Sequence, residues 1–236
     1  MKVTRHPKIQ SWILAAALSV GLGFVSPVSA KQRHYILDIN SQGLTALGTL
    51  GGDTIASDIN EAGQVVGGSK PATLGTHAFI TGPNGLGMTD LGTLGGGESI
   101  ALGINDAGRV AGYSVTATGA VHAFITGPNG MGMTDLGTLG GGSSIALGIN
   151  DTGQVVGYSG TAADVSDTVS HVFITGANGV GMTDLGRQGY LDGAGINDAG
   201  QVVWAPAGRG HSFITGPNGV GRHRSRDAGR RVQFRP

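Results

Sequence analysis

The stretch SIALGINDAGRVAGYS at residues 99–114 decides the fold, because it returns almost unchanged as SIALGINDTGQVVGYS at residues 144–159. Its first half alternates Ile100, Leu102 and Ile104 with smaller residues, which predicts a strand with one apolar face. The letters Asn-Asp-Ala-Gly then predict a tight turn, since Asn and Asp bond to their own backbone and Gly accepts a positive φ. The second half of the stretch predicts the returning strand.

The residues that follow complete a repeat of four strands. HAFIT at 122–126 is rich in aromatic and β-branched residues and predicts a third strand. GPNG at 127–130 predicts a second turn, and GMTDLGTL at 132–139 predicts a fourth strand. We expect the glycines at 140–142 to release the chain into the next repeat.

Repeats of this kind begin at Leu47, Leu91 and Leu136, and a degenerate fourth begins at Leu185. Tandem four-stranded antiparallel repeats of about 45 residues predict an all-β, β-propeller-like fold of about four blades, complete or incomplete. An open β-solenoid is the alternative. The segment that begins at His34 resembles a fourth strand, so we expect an N-terminal strand to complete the last sheet.

Residues 1–30 have the pattern of a secretory signal peptide. Basic residues precede an apolar run from Trp12 to Val25, and Val28-Ser29-Ala30 forms a small-x-small cleavage signal. We predict cleavage near Ala30 and a secreted, extracellular or cell-surface protein, with the periplasm as an alternative location. An N-terminal membrane anchor is the alternative reading of this run, and we expect no membrane span in the mature chain. The chain has no cysteine, so no disulfide stabilises it.

Charge divides the rest of the chain into a repeat domain, residues 31–221, and a tail, residues 222–236. The repeat domain has six Lys and Arg against 14 acids, whereas the tail has six Arg and one Asp. A codon series for Thr-Asp-Leu-Gly-Thr-Leu-Gly-Gly, read one nucleotide out of frame, encodes His-Arg-Ser-Arg-Asp-Ala-Gly-Arg, which is residues 223–230. We therefore predict that this Arg-rich tail is a frameshift product and that restoring the frame yields further repeats. An Arg-rich tail that binds nucleic acid or anionic lipid is the alternative, and its scarcity of aromatic residues and its position on an exported chain speak against it.

Three motifs in fixed order, GINDAGQVVGYS, HAF and TDLGTLGG, resemble the HAF-repeat family of bacterial extracellular repeat proteins. The resemblance covers roughly residues 34–221. It implies secretion and a repeat scaffold, and it implies no catalytic residue or cofactor. The fourth repeat departs from the pattern, with Arg187 and Gln188 in the LGTL motif and Trp204 at a position where the other repeats have Gly.

Recurrent polar residues are the candidate functional groups. One histidine recurs in each repeat, and a ring of imidazoles that binds a metal is one interpretation. The other is a structural bond within each repeat, to Asp90, Asp135 or Asp184. The Asn-Asp turns allow a calcium site or plain turn chemistry. We predict the structural role in both cases, and so no catalytic, metal or cofactor-binding residues and no cofactor. The four histidines are His77, His122, His171 and His211, and the turn pairs are Asn60-Glu61, Asn105-Asp106, Asn150-Asp151 and Asn197-Asp198.

These observations favour an exported, non-catalytic repeat scaffold that binds a cell-surface component, either a glycan or a protein. The chain shows no nucleophile elbow, zincin helix or phosphate-loop lysine, which speaks against an enzyme. A propeller-type hydrolase or lyase is one alternative, and a truncated relic without independent function is another. The segment between the second and third strands varies most in length and is longest at residues 159–170, so we expect a binding site there.

Overall fold

A computed structural model gives the structure of the chain and describes residues 12–16, 33–38, 43–72, 75–163, 170–188, 191–206 and 212–224. Their regular structure is β-strand, interrupted by four single turns of 3-10 helix. The predicted all-β class is therefore confirmed. Within these ranges no helix has the length and apolarity needed to cross a membrane.

The first three strands form an N-terminal sheet. Strands β1 (Trp12–Ala16), β2 (Arg33–Asp38) and β3 (Gly43–Ala46) pair antiparallel in that order. Strand β1 lies inside the predicted signal peptide, whose cleavage stays a prediction. Cleavage near Ala30 would leave β2 without its partner on that side.

Four units of four antiparallel strands follow, each with its strands in sequence order. This arrangement agrees with the predicted repeat. Unit 1 comprises β4 (Gly51–Ile59), β5 (Val65–Pro71), β6 (His77–Ile80) and β7 (Thr89–Gly92). Unit 2 comprises β8 (Gly95–Ile104), β9 (Val110–Thr116), β10 (Val121–Thr126) and β11 (Met133–Gly137). Unit 3 comprises β12 (Gly140–Ile149), β13 (Val155–Thr161), β14 (Ser170–Thr175) and β15 (Met182–Gln188). Unit 4 comprises β16 (Leu191–Ile196), β17 (Val202–Pro206), β18 (Phe213–Thr215) and β19 (Arg222–Arg224).

Two predictions about strand boundaries are wrong. The glycines at 140–142 open strand β12 instead of linking two units, because Gly140 pairs with Thr161 and the register then shifts before Ser144. The N-terminal segment does not complete the last sheet either. Arg222–Arg224, the start of the predicted tail, pairs antiparallel with Phe213–Thr215 and supplies the fourth strand of unit 4.

Both turns of each unit lie at the same end of its sheet, which we call the turn end. In the GPNG turn of unit 1, Asn84 takes a left-handed φ of 56°. The next residue, Gly85, donates its N–H to the carbonyl of Gly63 in the Asn-Glu turn at 2.9 Å. The same bond recurs from Gly130 to Gly108, so the two turns hold each other in place.

The core lies between consecutive units. The face of unit 1 that carries Val66 and Ile80 packs on Val110 and Phe124 of unit 2. The same arrangement joins unit 2 to unit 3, where Phe173 is fully buried. Burial of one such aromatic side chain stabilises the fold by about 1.5–3 kcal/mol. A single sheet supplies only about half of the residues of each cluster, so the stability of every unit depends on its neighbours.

Unit 4 keeps this packing although its sequence departs from the repeat. Trp204 occupies the position of Gly157, is only 2% exposed and joins the cluster formed with Val156 and Ile174 of unit 3. Its ring stacks on that of Phe213, with centroids 5.4 Å apart and an interplanar angle of 25°. An aromatic residue on the second strand of unit 4 therefore helps to fill the interface between units 3 and 4, whereas Phe173, on a third strand, fills the interface between units 2 and 3.

Candidate functional site

The recurrent histidines bond within their own units, as predicted. The Nδ1–H of His77 donates to Asp90 Oδ2 at 2.9 Å, and His122 and His171 donate to Asp135 and Asp184 at 2.8 Å. In units 1 to 3 these bonds tie the third strand to the fourth. The remaining histidine, His211, lies outside the described residues.

Each of these aspartates also holds the backbone that follows it. Asp90 Oδ1 accepts the N–H of Gly92 at 2.7 Å, and Asp135 and Asp184 accept from Gly137 and Gly186 at the same distance. One carboxylate thus fixes both the neighbouring strand and the end of its own strand. In the described part of the chain, no group of three or more His, Asp and Glu side chains is placed to hold a metal ion.

The Asn-Asp turns form a hydrogen-bonded ladder from unit to unit. The side-chain amide of Asn105 donates to the backbone carbonyl of Asn150 at 3.0 Å. In the same way, the side-chain amide of Asn150 donates to the backbone carbonyl of Asn197 at 3.0 Å. The backbone N–H of Asp106 donates to Asp151 Oδ1 at 3.1 Å. These bonds explain the recurrence of both residues by contact between units, which the turn chemistry inferred from the sequence did not include.

A cleft of about 400 Å³ opens between units 3 and 4 at the turn end. Its lining is polar and apolar in about equal parts and comes from both turns of unit 3 and both turns of unit 4. The lining residues are Thr152, Gln154, Ile174, Thr175, Gly176, Ala177, Thr183, Asp198 and Asn218.

Two departures from the repeat meet in this cleft. Thr152 stands where the other Asn-acid turns have Ala, and Ala177 stands where the other GPNG turns have Pro. The first change adds a hydroxyl, and the second removes a pyrrolidine ring from the wall. These residues are 25 positions apart in the sequence and become neighbours only when the two turns of unit 3 pack together.

Three polar groups of the lining have no hydrogen-bond partner among the described residues: the Thr183 hydroxyl, Asp198 Oδ2 and the Asn218 side-chain amide. Their surroundings are well anchored. Asp198 Oδ1 accepts the backbone N–H of Asp151 at 3.1 Å, and Asn218 Oδ1 accepts from Gln154 Nε2 at 3.3 Å. Asp198 and Asn218 are held by these bonds, and each keeps a polar atom without a partner among the described residues, which suits ligand binding because less side-chain freedom remains to be lost.

Sequence reasoning expected the binding site elsewhere. The segment at 159–170 joins β13 to β14 and thus lies at the opposite end of these strands from the cleft. Residues 164–169 of that segment lie outside the described residues, so the prediction for it stays untested. The sequence did contain a signal for the cleft, because Thr152 and Ala177 are two departures within a pair of turns that is otherwise repeated.

No protein-family model and no curated protein matches the chain. Among solved structures, TolB from Acinetobacter baumannii is similar with a TM-score of 0.57 at 14% identity, over 84% of this chain and 49% of that one. A putative TolB from Agrobacterium tumefaciens has a TM-score of 0.51 at 12% identity, over 76% of this chain and 62% of that one.

Both of these structures are β-propellers, so the chain has a β-propeller-like fold, as predicted, in preference to a solenoid. At such low identity the likeness shows the fold alone. The chain spans about half the length of the first TolB and under two thirds of the second.

Proposed function

We propose that this protein is an exported, non-catalytic repeat scaffold of the HAF-repeat type, and that it binds a neutral glycan in the cleft between units 3 and 4. The observation that carries the proposal is the convergence of Thr152 and Ala177 on this one cleft.

The charge of the cleft selects the class of ligand. Among the described residues that line it, Asp198 is the only ionisable one, and none is Lys, Arg or His. An anionic ligand would meet an uncompensated carboxylate. The hydroxyl groups of a sugar both donate and accept hydrogen bonds, so they fit Asp198 Oδ2, the Asn218 amide and the Thr183 hydroxyl together.

The same composition supports a binding role over catalysis. Glycoside hydrolysis uses a pair of carboxyl groups on either side of the scissile bond, and nucleophilic catalysis needs a base beside the nucleophile. The lining offers one carboxylate, which already accepts a backbone N–H.

The test is a glycan array screened with the mature protein, followed by titration calorimetry with the best neutral glycan. We expect Asp198→Asn and Asn218→Ala to weaken binding at least tenfold. Asp198→Asn keeps an oxygen that can accept the Asp151 N–H, so the ladder is retained. The matched controls are Asp106→Asn and Asn129→Ala, which change the corresponding residues of unit 2.

Two results would reject the proposal. One is the absence of any neutral glycan among the ligands of a folded protein. The other is equal binding by the cleft variants and their unit 2 controls. Release of a cleaved product from the bound glycan would instead support the hydrolase or lyase alternative.

A further inference from the structure

Each interior unit presents one apolar face to the unit that follows it. Strands two and three of the unit supply the face, and its residues are almost fully buried. Val156 and Ile174 on this face of unit 3 are 0% and 2% exposed. The corresponding residues of unit 4, Val203 and Ile214, are 46% and 41% exposed. We call this surface of unit 4 the terminal face.

The hydrogen-bonding groups of unit 4 show the same difference. Asn105 and Asn150 are each 4% exposed and donate to the next unit, whereas Asn197 is exposed and its amide bonds to Gln201 of its own unit. The backbone N–H of Asp151 donates to the next carboxylate. For the N–H of Asp198, the described residues provide no acceptor.

We infer that the terminal face is a docking surface for one further repeat unit of the same kind, contributed in the same chain. Such a unit would place its second-strand Val and an aromatic side chain on Val203 and Ile214. Its Asn-Asp turn would accept from Asn197 and from the Asp198 N–H. Continuity with three existing interfaces supports this occupant, because apolar and polar groups recur there in the same relative positions.

A second copy of the chain is a poorer complement. The face of unit 1 that would have to cover Val203 and Ile214 carries Val65 and Phe79, and both already pack in a buried cluster with Ile36 of the N-terminal sheet and Leu47, which follows that sheet. By the predicted frameshift, a frame restored near residue 222 would continue the chain as TDLGTLGG, which would supply a fourth strand for unit 4 and lead into such a unit.

The test replaces residues 222–236 of the mature chain with a copy of residues 88–137, which supplies a fourth strand for unit 4 and then a complete unit. Hydrogen exchange of the Asp198 amide is the readout. We expect exchange to slow at least tenfold, and the unfolding midpoint to rise. The matched control carries the same extension with Val203→Lys and Ile214→Lys, and its Asp198 amide should keep the exchange rate of the unextended chain.

A second extension, copied from residues 133–188, guards against an added unit that fails to fold for reasons of its own. If neither extension slows exchange at Asp198, the inference is wrong. Sedimentation of the unextended chain provides a further check. Self-association that disappears with Val203→Lys would make a second copy the occupant and would also overturn the inference.

Discussion

Units 3 and 4 share one strand order but differ in how many neighbours they have. Unit 3 packs between two sheets and keeps Gly157 on its second strand, whereas unit 4 has Trp204 there and an exposed face beyond it. A Cβ on Gly157 would lie 2.0 Å from the carbonyl oxygen of Ile145. In unit 4 the residue that corresponds to Ala146 is Gly193, and the strand register shifts beside it. The comparison teaches that the paired strand decides which residue fits at this position: the close carbonyl of Ile145 requires Gly157 in unit 3, whereas unit 4, with its shifted register, accommodates Trp204 in its interface with unit 3.

The largest expected effect is at Gly157. Gly157→Ala should lower the free energy of unfolding by about 3 kcal/mol or more, because the new Cβ meets backbone atoms that cannot yield without moving the strand. Gly160→Ala in the same strand is the control, since its Cβ would have no neighbour closer than 3.5 Å. Urea denaturation of both variants checks this, and equal midpoints would refute the packing described for β13.

The second-largest expected effect is on the apolar faces, where truncating an isoleucine should destabilise the protein more in unit 3 than in unit 4. Ile174→Ala should cost about 3 kcal/mol, because it empties space in a closed interface. Ile214→Ala should change the free energy of unfolding by no more than about 0.5 kcal/mol, since that side chain is 41% exposed. Thermal unfolding of the pair measures the difference, and a cost at Ile214 as large as that at Ile174 would mean that something covers the terminal face.

The asparagine ladder gives a smaller contrast. Asn150→Ala should cost about 1–3 kcal/mol, because it leaves the carbonyl of Asn197 and the side chain of Gln154 without their buried donor. Asn197→Ala should lower the free energy of unfolding by less, because the Asn197 side chain is exposed and, among the described residues, bonds only within its own turn. Chemical denaturation distinguishes the two. If the Asn197→Ala variant were less stable than the Asn150→Ala variant, the stabilising role of the ladder would be refuted.

The smallest effect concerns a position that is Gly148 in unit 3 and Gly195 in unit 4 but Asp58 in unit 1. Burial raises the pKa of Asp58 despite hydrogen bonds from the N–H groups of Ile104 and Ile59, which act in the opposite direction. The folded state therefore binds the proton more tightly than the unfolded state. The stabilisation that protonated Asp58 contributes is fully present below the ordinary pKa of aspartate, and it is lost as the pH rises through the raised pKa.

Asp58→Asn removes this titration. The stability of the variant relative to the parent should increase as the pH rises through that window and then level off. Unfolding free energies measured at a series of pH values test it. A constant difference between the two proteins would show that Asp58 titrates alike in the folded and unfolded states.

Periodicity predicted the fold well, because four near-copies of one pattern leave few arrangements that bury every apolar face. The bond from His122 to Asp135 also followed from the sequence, since both belong to paired strands of one unit. What the sequence did not reveal are relations between units. The ladder from Asn105 to Asn150 and the cleft at Thr152 depend on how far one sheet rotates against the next, and no local pattern encodes that angle.

The role of glycine was likewise only half predictable. Turn glycines such as Gly108, with a φ of 70°, follow from local chemistry. Gly157 has no such signature. Its necessity comes from the close approach of β12, which is visible only once the strands are paired.

The central claim is that each unit is stabilised by packing against its neighbours, and hydrogen exchange of the Phe173→Ala variant tests it most directly. Phe173 belongs to unit 3 and contributes to the core shared with Ala111 and Ile125 of unit 2. We predict faster exchange in β10 of unit 2 and in β14 of unit 3 together, because the cavity weakens the shared interface. Faster exchange confined to unit 3, with the amides of unit 2 at their parent rates, would contradict the account.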